Sequence, residues 1–155
     1  MMKKSCPGFT LIELLVVISI ISALFSIGLA QYNKFNRRQI LVKAKDQLIS
    51  DLRLAQSKSL AAEKPEACGT IPLSGHKLKF IDNQNYKIVA VCGNEVDLKT
   101  DIALPAGVTK QAGPGDPDEV FFRVLSQGSP ADVTLTLSGF GEKQTITITT
   151  AGEIK

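Results

Sequence analysis

Tryptophan is absent and histidine occurs once, at His76. One histidine leaves no multi-histidine metal site, and no Ser-His-Asp triad is legible around it. Flanked by Gly75, His76 reads as a solvated loop residue. Cysteine is scarce: Cys6 lies in a basic leader, and Cys68 and Cys92 lie in the body, each followed by glycine. Neither body cysteine has a nucleophile-base context. The body pair reads either as a disulfide, suited to an oxidising compartment, or as two partly buried thiols. Gly113-Pro114-Gly115 lacks the Lys-Ser/Thr and helix start of a phosphate loop. Asp116, Asp118 and Glu119 lack EF-hand spacing and read as an acidic turn. Charge of one sign is also lacking: the net charge is +3, and Lys3 and Lys4 supply two of those charges. The rest is near neutral, which is no nucleic-acid footprint. No metal and no cofactor are expected, and nothing marks an enzyme.

What the sequence has is a long apolar run. Residues 9–30, 22 in all, are apolar apart from Thr, Ser and one charge, Glu13. That length matches the roughly 20 residues a helix needs to cross a bilayer. In hydrocarbon the backbone must satisfy itself, so the run should be helical. Lys3 and Lys4 stay cytoplasmic by the positive-inside rule, which places the body outside. Glu13 costs about 2.5 kcal/mol or more in such a span, so it calls for a partner or a task. Two other targeting readings were weighed. A cleavable secretory signal would be cut after Gly28-Leu29-Ala30, but the run exceeds an h-region of about 7–15 residues. A lipoprotein signal needs a cysteine after the run, and Cys6 precedes it.

Gly8-Phe9-Thr10-Leu11-Ile12-Glu13-Leu14, behind a short basic leader, resembles the signal of type IV prepilins and type II secretion pseudopilins. The resemblance implies cleavage between Gly8 and Phe9 by a prepilin peptidase, then N-methylation of Phe9. It also implies that Glu13 partners the N-terminal amine of a neighbouring subunit during assembly. Opposite charges in a water-poor core hold each other, and either alone is costly there.

Beyond residue 30 the chain turns amphipathic. Leu41, Ala44, Leu48, Leu52, Ala55 and Ser59 recur at three- and four-residue steps, one helical face, which Ile40, Ile49 and Leu60 widen. Arg37, Arg38, Lys43, Lys45, Asp46, Asp51, Arg53 and Lys58 fall mostly elsewhere. Lys64-Pro65 ends the pattern. A helix from Phe9 to about Glu63 would be about 80 Å long. Gly28 loosens it locally; many pilins carry Pro where this chain has Ala30. The cluster Lys34, Arg37 and Arg38 suits either anionic headgroups or a solvated face.

After Pro65 the period changes to two, with strands predicted at 77–82, 86–91, 95–99, 120–125, 133–138 and 144–149. Tight turns are expected at 82–85 and 139–143, and a loop at 112–118. In the last two strands the Thr face should be solvated and the aliphatic face should cover the helix. The expected fold is α+β and pilin-like: a long N-terminal helix, its first half transmembrane, packed on an antiparallel sheet domain. The divisions are a leader (1–8), a membrane and filament-core helix (9–30), its amphipathic continuation (31–63) and a β-rich domain (64–155). Phe121-Phe122-Arg123-Val124, Gly128, the strands after it and Gly152 are similar to the H-type minor pseudopilin and minor pilin (GspH/FimT) group. Some members of that group bind DNA through a C-terminal Gly-Arg motif. Here the end is Gly152-Glu153-Ile154-Lys155, with Glu in the Arg position, which counts against DNA. The partners implied are other pilin subunits, the prepilin peptidase and the cytoplasmic membrane. The location implied is that membrane, then a periplasmic or surface filament.

Overall fold

Helix-forming residues without a proline from Thr10 to Lys64 give one helix, α1 (Leu11–Leu60), in the computed structural model. The structure describes residues 8–111 and 116–155, with the backbone alone at 26–30. Contacts divide the chain after Arg37 into two units, taken separately below. In the first, the apolar side chains described at 11–25 are exposed: Leu11 is 82% exposed, Ile12 67% and Phe25 67%.

In the second unit α1 presents the stripe expected of it. Leu41, Ala44, Leu48, Leu52, Ala55 and Ser59 are fully buried, and Ile40 and Ile49 flank them. Leu60, expected to widen that face, is instead exposed. Asp51 also departs from expectation, since it is buried rather than solvated. It neighbours Leu48 and Leu52 on the helix and is satisfied there by the Tyr86 hydroxyl and Lys99 Nζ, each at 2.8 Å. Burial raises the Tyr86 phenol above its ordinary value, and the hydrogen bond to Asp51 adds to it.

The helix stops at Leu60, before Lys64-Pro65 is reached. Ala62 N donates to Ser59 O and Glu63 N to Lys58 O, with Ala62 at φ 50°. This is a Schellman cap with alanine in the left-handed position usually given to glycine. Ala62→Gly is therefore expected to stabilise the protein by about 1 kcal/mol, read as a higher denaturation midpoint. No gain would mean that the cap carries no backbone strain.

Seven strands follow among the described residues: β1 (Gly75–Phe80), β2 (Asn85–Cys92), β3 (Asn94–Ala103), β4 (Val108–Lys110), β5 (Glu119–Arg123), β6 (Val133–Gly139) and β7 (Glu142–Ile148). They form two antiparallel sheets, ordered β3-β2-β1-β5 and β4-β6-β7. The β1–β2 turn is held by Asp82, whose Oδ1 accepts from Gln84 N (2.7 Å) and Asn85 N (2.8 Å). The β6–β7 turn places Phe140 and Gly141 at φ 55° and 82°, the twist that suits a two-residue hairpin. Alternation in β6 and β7 buries Leu135, Leu137, Ile146 and Ile148 and leaves the threonines outside. These side chains join Leu78, Phe80, Tyr86, Ile88, Val120 and Phe122 from the other sheet around the helix stripe.

Three strands differ most from the sequence reading. β3 runs well past Lys99, and β4 was not foreseen, because three residues behind Pro105 and Gly107 are too few to show a period. β5 ends earlier than expected, and Leu125 sits at φ 57°, outside strand geometry. A 3-10 turn (Glu66–Cys68) brings Cys68 to β2, where it forms a disulfide with Cys92, Cα–Cα 5.7 Å. With Ala90, Leu73 and Val96 the bridge makes a small second cluster beside the main core.

Candidate functional site

Gly8, Phe9 and Thr10 lead into α1. Thr10 N lies 3.5 Å from Glu13 Oε2, and Glu13 N lies 3.4 Å from Thr10 Oγ1. This reciprocal pair is a capping box, long at both contacts, that satisfies two amides otherwise orphaned at a helix start. The sequence carries the signal, Thr followed three residues later by Glu. Its carboxylate also faces the positive end of the helix dipole.

Around Gly8 the described residues make no packing demand. A Cβ added there would meet nothing within 4 Å. Phe9 is 81% exposed. The rest of the expected leader, 1–7 with Lys3, Lys4 and Cys6, lies outside the described residues. Among the described residues no helix is long and apolar enough to cross a membrane. The expected span, 9–30, falls partly outside them, since at 26–30 only the backbone is described.

Several polar groups of the second unit serve the fold. His76, expected in solvent, is fully buried in β1, because pairing with both β2 and β5 puts it in the centre of the sheet. Ser59 Oγ accepts from His76 N (2.9 Å) and donates to Phe122 O (2.9 Å). Ser59 Oγ also lies 3.1 Å from His76 Nδ1. Nε2 is buried and has no hydrogen-bond partner among the described residues. A serine that already donates to a carbonyl, sealed from solvent, is no nucleophile. It ties the end of α1 to β1 and β5.

Burial lowers the His76 pKa, Lys58 lowers it further, and Glu63 opposes them. Below the ordinary imidazole value the unfolded chain therefore takes up a proton that the folded chain refuses. Stability is expected to fall as pH drops from about 7 toward 5. His76→Asn keeps an N–H donor and removes the titration, so its stability should be flatter over that window. Equal slopes for both proteins in urea titrations at several pH values would rule out His76 as the cause. Carboxylates act lower: Glu95, held at about pKa 2 by Lys77 and Lys79, loses its contribution only as pH falls below the ordinary carboxylate range.

Lys110 is buried against the acidic turn, 2.8 Å from Asp118 Oδ1 and 3.7 Å from Asp116 Oδ1, and Asp116 Oδ2 accepts from Thr136 N (2.9 Å). Among the described residues no cluster of His, Cys, Asp or Glu could hold a metal ion. At the C-terminus Lys155 Nζ lies 3.3 Å from both Glu153 oxygens, so the one cation of that end is paired with its own acid. An opening of about 250 Å³ is lined by Gln56, Ser57, Leu60, Gln127 and Gly152. The Gln56 amide there is already used, donating to Gln127 O (2.6 Å) and Gly152 O (2.8 Å).

No curated protein and no solved structure matches the chain. A family model does match: residues 3–29 fit the prokaryotic N-terminal methylation motif. The match covers most of the expected leader, the Gly8-Phe9 junction, the capped Glu13 and most of the apolar run, and it supports a type IV pilin-like or pseudopilin-like subunit processed by a prepilin peptidase.

Proposed function

We propose that this chain is a structural subunit of a type IV pilus or a type II secretion pseudopilus, of the H-type minor group. The prepilin peptidase removes residues 1–8 and Phe9 is N-methylated. Residues 9–30 hold the subunit in the cytoplasmic membrane, with the β-rich unit outside, until the helix joins those of other subunits. The observation that supports this best is the exposed apolar length of α1 within the matched motif. Unburied Leu, Ile, Val and Phe side chains at nearly every position from 11 to 25 are costly in water, at about 1.5–3 kcal/mol for each that could be buried. Lipid first, and neighbouring helices afterwards, remove that cost. Gly8 fits the same reading, because the fold gives no reason for glycine there and a peptidase does.

Co-expression with and without a prepilin peptidase tests it. Intact-mass analysis should find the chain beginning at Phe9 and carrying one added methyl group only when the peptidase is present. A leader that stays attached, or a product beginning beyond residue 30, would overturn the assignment.

A further inference from the structure

Directly beyond the apolar run, α1 carries two aromatic residues and two cations: Tyr32, Lys34, Phe35 and Arg37. All four are exposed, Tyr32 at 67% and Phe35 at 61%. At 3.6 residues per turn, Tyr32 and Phe35 fall on one side of the helix, and Lys34 and Arg37 on the opposite side. The group therefore encircles the helix instead of forming one stripe. A groove on another protein takes a stripe, whereas a layer that the helix passes through takes a ring.

The spacing fits such a layer. At 1.5 Å per residue, positions 32 to 37 lie roughly 3–10 Å past Ala30. The polar interface on each side of a hydrocarbon core is several ångströms thick, about 5–8 Å. Tyrosine is enriched at that level, and cations find anionic lipid phosphates there.

We propose that residues 32–37 form an interfacial collar that rests in the anionic headgroup layer on the outer face of the membrane. The rings sit at the boundary with the acyl chains, and Lys34 and Arg37 sit on lipid phosphates. The collar sets how deep the anchored subunit waits before assembly. This rests on the reading of residues 9–30 as a membrane span.

The absence of tryptophan gives a clean probe, since Phe35→Trp supplies the sole indole of the chain. The full chain carrying it is reconstituted in phosphatidylglycerol vesicles and in phosphatidylcholine vesicles, with brominated lipids as depth markers. The expected result is a blue-shifted indole, quenched more by bromines near the headgroup than by those near the bilayer centre. In phosphatidylglycerol, adding Lys34→Glu and Arg37→Glu should shift emission back to the red while the chain still resists carbonate extraction. A water-exposed indole on a carbonate-resistant chain would overturn the collar and leave the anchor standing. Recovery of the chain in the carbonate wash would instead remove the anchor, and the collar with it. An indole unmoved by lipid charge and by the charge reversals would show that the cations do not engage lipid. Burial that varies with protein-to-lipid ratio would assign the ring to contact between copies.

Discussion

Gly128→Ala is expected to destabilise the protein by at least about 3 kcal/mol, as a backbone collision with no flexible side chain to absorb it. A Cβ on Gly128 would stand 1.7 Å from Thr150 O and 2.4 Å from Thr150 C. Gly152 answers from the other side, at φ 90°, where an added Cβ would lie 2.7 Å from Gln127 O. The 127–128 backbone and the C-terminal turn thus lie against each other, and Gln56 from α1 clamps both through their carbonyls. The turn leads into a tail that pairs with β7, Thr147 N to Lys155 O and Lys155 N to Thr147 O, and buries Ile154 in the core. Prising the two segments apart would release that pairing and uncover the lower end of the core. Gly141→Ala is the control. Its backbone is left-handed, φ 82°, unlike that of Gly128, and it has open space around it, so strain alone applies, about 1 kcal/mol. Denaturant midpoints of the full chain in mild detergent should separate the two variants clearly. Equal losses would mean that the close approach at Gly128 relaxes freely.

These glycines show where the sequence was legible and where it was not. Gly128 and Gly152 were noticed only as points of family likeness. Their physical reason, two stretches of backbone in contact more than twenty residues apart, cannot be read from local pattern. Periodicity did its work where burial is one-sided: the helix stripe from Leu41 to Ser59 and the alternation of β6 and β7 lie where the spacing put them. It failed wherever a polar residue is buried with a partner distant in sequence. His76 is sealed by Ser59 and Asp51 is held by Tyr86 and Lys99, and neither pairing leaves a trace at short range. The helix end was misjudged because proline is an audible stop, while an alanine adopting a left-handed cap is silent. At the N-terminus the reverse occurred. The motif is plain in the sequence, and the local use of Thr10 and Glu13 emerges only once the helix start is placed at Leu11.

That capping contact sharpens the test of Glu13. Two explanations now compete for a carboxylate near the start of an apolar helix: it caps the helix locally, or it neutralises the Phe9 amine of a neighbouring subunit. Glutamine separates them, because it fills a capping box as glutamate does yet carries no charge. Under the charge-pairing reading, Glu13→Gln and Glu13→Ala should both be processed normally and both should fail in filament incorporation. The loss follows from leaving a buried amine unpaired, about 3 kcal/mol or more, which is roughly a hundredfold. Thr10→Ala weakens the cap and leaves the charge, so it should cost about 1 kcal/mol of helix stability and assemble nearly as well as the unaltered chain. Incorporation is measured on sheared filaments, with the intact mass of the membrane pool as the check on processing. If Glu13→Gln assembles normally while Glu13→Ala does not, the cap explains the acid and the intersubunit pair is excluded. The second unit should melt at the same temperature in all three variants, because Glu13 and Thr10 are exposed and lie outside its core.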